Sequence, residues 1–440
     1  MLPSLVSSEL TASIRRFLRV TFPATTSGFL REDGSTAIDD LLSASGAVFK
    51  GPFLSVGLPF RTTEASAKLP FRVLRPGFAP YRHQLQAFER LCGKRPEATL
   101  VATGTGSGKT ECFMYPVLDY CAANLGRGVK AVIIYPMNAL ATDQARRFAR
   151  EIDRRDGLRG AVRVGLFVGD AERSPNTQMT RDRVISCKTT QRENPPDILL
   201  TNYKMLDYLL IRPRDQALWR FNEPGTLRFL VVDELHTFDG AQGTDLACLI
   251  RRLRDRLGAG DELACVGTSA TIGSDESLSR LTDYASQVFS TPFDGEAVIR
   301  EDRLAPEEFI RPLASDFQWP SPDAFLARPP DQFPSAADYL AVQAQLWLPY
   351  PPSDLNHPEA ARRNRARVAL GEMLLAHPAV HTLLRQDAGL IDSEQIIRDW
   401  QARLHASREG AAAMLDSLCA LLATARRAID DDPNRVQPLV

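Results

Sequence analysis

The chain has 440 residues, of which 44% are hydrophobic and 24% charged, and a formal net charge of −1. That is the profile of an ordinary globular protein with room for about three domains of ~150 residues. No apolar run reaches the ~20 residues a membrane helix needs, and the N-terminus lacks the basic-then-apolar layout of a secretory signal. The seven cysteines are scattered without a close pair. This argues against a zinc site or a disulfide framework and for reduced thiols in the cytoplasm. A near-neutral charge does not announce a nucleic-acid binder, so any basic groove has to be local.

In chain order, Leu10, Ile14, Phe17 and Leu18 fall at helical spacing. Two Pro-interrupted extended segments follow, GPFLSVGLPF and KLPFRVLRPGFAP. Residues 1–75 therefore read as an accessory lead-in. From Phe78 to Thr271 short apolar runs alternate with helical ones: TLVAT, VKAVIIYP, VRVGLFVG, DILLTN, LRFLVVDE and LACVGTSAT. Several carry apolar side chains at consecutive positions, as strands buried on both faces do. With helical runs such as TECFMYPVLDYCAANL between them, the pattern predicts an α/β fold, a parallel sheet flanked by helices, over residues 76–300. After Ile272 the strand signals thin to one extended piece, EAVIRED. Residues 315–357 are Pro-rich and loop-like, and 358–428 look helical up to the closing NRVQPLV, so 301–440 reads as a Pro-rich linker and helical insertion. Arg251, Arg252, Arg254 and Arg256 form a basic stripe, read as the solvated face of a helix whose core positions are Leu246, Ile250, Leu253 and Leu257, in preference to a DNA-binding stripe.

The strongest local signal is TGTGSGKT, Thr103 to Thr110, after a buried strand and before a helix. Glycines let the backbone curl so that several N–H groups face one point, where a helix N-terminus adds partial positive charge. Thr105, Gly106, Ser107, Gly108, Lys109 and Thr110 would line a phosphate-binding turn. Lys109 would reach the β- and γ-phosphates of ATP, and the Thr110 hydroxyl would serve Mg²⁺. The first position is Thr103 where the strict pattern has glycine. Asp233 and Glu234 end another strand. One carboxylate can hold the metal shell, assigned to Asp233, and the other can orient and deprotonate the attacking water, assigned to Glu234. The two strands are expected to be neighbours.

Together these motifs resemble a superfamily 2 helicase of the DEAD/DEAH-box type, in order across residues 80–272. YRHQLQAF is similar to the adenine-reading glutamine motif, with Gln84 as reader. YPMNALATDQ resembles motif Ia, TNYKML stands where motif Ib is expected, DELH is motif II of the DExH kind, and Thr268 to Thr271 resemble the SAT element of motif III. The resemblance implies a RecA-like domain. It makes Asn138, Thr142, Gln144, Thr201 and Asn202 nucleic-acid contacts, and His236 a coupling residue that senses Ser269 or Thr271. Asn138 and Asn202 are also good helix caps, a reading that stands beside the phosphate-contact one. FDGAQGTDLACLIRRL and TNYKMLDYLLIRP look like the large bacterial helicases of DNA repair and phage defence that carry an accessory C-terminal domain.

The family's motor needs a second RecA-like domain with an arginine-bearing motif, and none is readable after residue 272. The expected whole is therefore a longer parent chain that supplies it. DNA is the favoured partner, with an RNA helicase of the same fold or a non-motor nucleotide-binding module as alternatives, and no membrane.

Overall fold

The computed structural model describes residues 2–21, 51–64, 66–104, 106–169, 174–270, 275–385, 390–429 and 432–440. They form two compact units, Phe60–Arg303 and a unit joining Met1–Pro59 to Leu304–Val440. The first strand, β1 (Phe53–Ser55), belongs to the second unit.

In the first unit β2 (Thr99–Ala102), β3 (Ala131–Tyr135), β4 (Val164–Phe167), β5 (Ile198–Asn202), β6 (Phe229–Val232), β7 (Ala264–Ser269) and β8 (Val298–Arg300) make one sheet. Its order is β4-β5-β3-β6-β7-β2-β8, and every neighbouring pair is parallel. The consecutive apolar residues have a direct geometric cause. Side chains alternate across a strand, so Ala131, Ile133 and Tyr135 enter one core with Phe113, Val117 and Phe148. Val132 and Ile134 enter the opposite core with Leu246, Ile250 and Leu253. On the helix Gly240–Leu257 the leucine and isoleucine positions are buried while Arg251, Arg252 and Arg256 are exposed, and Arg252 pairs with Asp207.

The extended piece EAVIRED supplies the seventh strand, β8, beside β2. One feature differs from expectation. The strands leading to the phosphate loop and to the acidic pair are not neighbours, because β7 lies between β2 and β6. Parallel strands buried on both faces look alike in sequence, so their order is invisible there.

The bounds of the units also differ from the division at residue 75. The backbone N–H groups of Arg72, Val73 and Leu74 donate to the buried Asp119 carboxylate at 3.0, 2.7 and 2.8 Å. This ties residues 60–75 to the helix Lys109–Ala123 and hence to the sheet.

The second unit is mostly helical. β1 pairs antiparallel with β9 (Leu390–Asp392), and β10 (Arg426–Ile429) with β11 (Asp432–Pro438). The described residues of 1–59 and of 304–440, read from sequence as separate segments, thus belong to one compact unit. The Pro-rich stretch is not all loop. Ala336–Trp347 is a helix opened by Ser335, whose hydroxyl accepts from Asp338 N at 3.2 Å. Pro334 and Pro349 flank that helix without entering it. Trp347 is buried with Leu370, Trp400 and Leu418, and its indole N–H donates to Ser417 Oγ at 3.0 Å. Among the described residues no helix is long and apolar enough to cross a membrane.

Asp119→Ala should orphan three N–H donors at once and destabilise the sheet unit by about 3 kcal/mol. The urea midpoint would report this, and a midpoint equal to wild type would contradict the anchoring role.

Candidate functional site

The loop after β2 turns on two glycines. Gly106 and Gly108 have φ of 81° and 79°, a left-handed conformation that favours glycine. Thr103 Oγ1 and Ser107 Oγ lie 2.7 Å apart and brace the turn from inside. Lys109 and Thr110 open the helix Lys109–Ala123, with Thr110 nearly buried. Thr105 lies outside the described residues.

The acids come from the end of β6. Asp233 is 5% exposed. Glu234 adopts φ 51°, a conformation that costs a non-glycine residue about 1 kcal/mol or more and clusters at functional sites. Thr268 on the intervening β7 holds both acids: its hydroxyl donates to Asp233 Oδ1 and accepts from Glu234 N at 3.0 Å. Glu234 Oε1 then receives the Lys109 ammonium at 3.1 Å, across 125 residues of sequence. Glu234 Oε2 is buried and has no hydrogen-bond partner among the described residues; His236 Nδ1 is 3.5 Å from it. That ring nitrogen lies 3.1 Å from Ser269 Oγ. Thr271 lies outside the described residues. Burial pushes the Asp233 carboxyl above the usual range, and the Thr268 hydroxyl and Lys109 only partly oppose it.

The outside of the loop is gripped by residues from far away. Gln84 is buried; its amide oxygen accepts from Tyr81 N at 2.9 Å and its amide nitrogen donates to Gly108 O at 3.2 Å. A Cβ on Gly108 would meet Gln84 Nε2 at 2.3 Å. His83 Nε2 lies 2.9 Å from Ser107 O. A carbonyl only accepts, so Nε2 carries the proton and Nδ1 is left as a buried acceptor without a partner among the described residues. Burial lowers the His83 pKa, which favours this neutral form. On the far side Gly104 N donates to Glu301 Oε2 at 3.0 Å, and Arg303 holds the same carboxylate at 2.6 Å. Sequence reasoning missed Thr268 as a contact to the acids, His83 and Glu301. Thr268 stood inside the SAT element and His83 beside Gln84. Glu301 had no motif to flag it.

At the ends of β3 and β5, Asn202 Nδ2 donates to Asn138 Oδ1 at 2.6 Å. Asn202 caps its helix by accepting from Met205 N at 2.8 Å. Asn138 does not cap its own: it is the first residue of the helix Asn138–Asp153, and Met137 occupies the cap position. Thr142 Oγ1 donates to Asn138 O at 2.9 Å. Gln144 and Thr201 are not brought to this surface. Gln144 is 9% exposed, and Thr201 is fully buried with its hydroxyl donating to Phe167 O at 2.7 Å.

Residues 81–278 match the family DEAD/DEAH box helicase. The chain is 25% identical over 378 residues to the Druantia protein DruE of Escherichia coli, covering 61% of this chain and 20% of DruE. It is 29% identical over 187 residues to the ATP-dependent DNA helicase Hel308 of Methanocella arvoryzae, covering 42% and 21%. The chain thus matches about a fifth of the length of these relatives. Among solved structures, the DUF1998 helicase MrfA bound to DNA aligns with a TM-score of 0.43 and 24% identity, over 60% of this chain and 32% of that one.

The site residues of the sheet unit fit a magnesium nucleotide. The loop offers backbone N–H groups and a lysine to phosphates, and Glu234 Oε2, which accepts no hydrogen bond among the described residues, and the buried Asp233 carboxyl are acceptors that a hydrated cation would satisfy. Because the folded Asp233 pKa is raised, its contribution to stability is present in acid and is lost as pH rises through that value. Asp233→Asn should therefore raise the melting temperature of the nucleotide-free chain by about 2–4 °C at neutral pH, with the gap closing as pH falls. Thermal scans across pH test this; a melting temperature below wild type at every pH would contradict it.

Proposed function

We propose that the helicase domain is the ATP-binding half of a DNA helicase or translocase. The observation that carries the reading is the convergence of Lys109 and Glu234 at 3.1 Å with Asp233 alongside, under one threonine of β7. In this reading Lys109 leaves Glu234 to neutralise the β- and γ-phosphates. Thr110 and Asp233 hold Mg²⁺, which when bound supplies Lewis-acid stabilisation of charge on the phosphoryl oxygens. Glu234 orients the attacking water and takes its proton on the carboxylate. Gln84 meets the base while bracing Gly108.

His236, 3.1 Å from Ser269 on β7, relays the state of the phosphate site to that strand end. Asn138 and Asn202, with Thr142, face the strand's phosphates, which gives a grip without sequence readout. A second RecA-like domain from the same parent chain closes over the nucleotide and supplies an arginine to it. The DNA preference is supported by the likeness to Hel308, which is named a DNA helicase.

The test is ATP hydrolysis by the parent protein with single-stranded DNA, with RNA and with neither. DNA should stimulate most, and Lys109→Ala should lower kcat by about 10²-fold or more. The 440-residue chain alone should bind ATP–Mg²⁺ yet turn over about 10³-fold or more slowly than the parent. Stimulation by RNA alone would replace DNA in this account, and hydrolysis indifferent to Lys109→Ala would end it.

A further inference from the structure

The helix Asn138–Asp153 extends the row of polar groups past the strand ends. Asn138, Thr142, Arg146 and Arg150 follow one another at intervals of four residues. At 3.6 residues per turn such positions share one face, and at 1.5 Å per residue the row runs about 18 Å. At its lower end Thr142, Arg146 and Arg150 wall a cavity of about 450 Å³, closed by Leu166 of β4 and by Asp182, Arg183, Val184 and Ser186.

That far wall is built into the fold. Leu166 N donates to Ile185 O at 2.8 Å and Ile185 N to Val164 O at 3.0 Å, so the segment pairs with the edge of the sheet. The buried Gln191 amide donates to both Leu166 O and Ile185 O at 3.0 Å. Arg150 reaches across to Asp182 at 2.6 Å.

The charge of the cavity is one-sided. Arg146, Arg150, Arg181 and Arg183 are all exposed around a single lining carboxylate, Asp182, and Arg183 also donates to Ser174 O at 3.2 Å. Its carboxyl is held below the usual range by the Arg150 hydrogen bond and by the charges of Arg150, Arg181 and Arg146. The neighbouring Arg147 and Arg155 point elsewhere, to Glu111 and Glu151. Guanidinium forks match phosphate oxygens in pairs and bind them more specifically than a point charge does.

We propose that this concavity is a second phosphodiester subsite, which takes the backbone of a nucleic-acid strand after it leaves Asn202 and Asn138 and carries it down the flank of the helicase domain. The subsite rests on the functional reading above, that the strand ends hold nucleic acid. It lengthens the footprint beyond the strand ends and adds affinity without base readout. The same chemistry accepts the continuing single strand or the backbone of a flanking duplex.

The experiment is equilibrium binding of the 440-residue chain to a short single strand that ends at the strand-end asparagines, a longer single strand, and the short strand joined to a duplex. Each is measured over a range of salt for wild type, Arg146→Ala/Arg183→Ala and Asp182→Asn. The double variant should weaken one of the two longer ligands about tenfold and flatten its log–log salt slope by about 1.4 for the single strand or about 1.8 for the duplex, two lost contacts at ~0.7 or ~0.9 each. Whichever longer ligand loses affinity is the occupant. Asp182→Asn should tighten the same ligand about threefold. A gain cannot come from misfolding, so this arm holds even if the double variant is destabilised. Longer ligands that bind the double variant and Asp182→Asn with wild-type affinity and salt slope overturn the subsite alone. Wild-type chain that binds none of the ligands overturns the subsite together with the functional reading.

Discussion

The site hangs on the Thr268 hydroxyl. It donates to Asp233 and accepts from the backbone of Glu234, and so holds a left-handed glutamate that has no intrinsic preference for that conformation. With Glu234 fixed, its carboxylate faces Lys109 across the gap that β7 creates between β6 and β2. Remove this hydroxyl and the two acids lose their common reference, though each strand stays in the sheet. Its place on β7 also explains how a change at the phosphates reaches the rest of the domain: Ser269, the next residue, touches His236.

Around that centre the loop is held from two sides by groups that bond to its backbone. His83 and Gln84 reach Ser107 O and Gly108 O, while Glu301 reaches Gly104 N. A loop that must present its N–H groups to an anion benefits from having its carbonyls and outer amide occupied, because fewer alternative conformations compete. The α/β unit thereby places its reactive residues at one end of a parallel sheet, where ligands of this architecture bind.

Much of this was legible in the sequence where chemistry is contiguous. TGTGSGKT and the DELH tetrapeptide carry their glycines, lysine and carboxylates within a few residues of one another, and the sheet declares itself through runs such as AVIIY that are buried on both faces. Strand order was not legible, so β7 between the two key strands came as a correction. Contacts to backbone atoms leave no side-chain pattern, which hid Glu301, 197 residues from Gly104. Gln144 and Thr201 were read from motif position alone, and position does not report burial. The helix Ala336–Trp347 was masked by prolines that lie at its ends. After β7 the extended piece EAVIRED was legible, but three residues of edge strand carry too little pattern to say that β8 joins the sheet beside β2.

The central claim is that the phosphate loop and the acidic pair form one magnesium-nucleotide site. A crystal structure of the chain with a non-hydrolysable ATP analogue and Mg²⁺ tests it most directly. The account predicts that the Lys109 ammonium leaves Glu234 for the phosphates, with the metal between Thr110 and Asp233. An analogue bound elsewhere, with the Lys109–Glu234 pair intact, would contradict it.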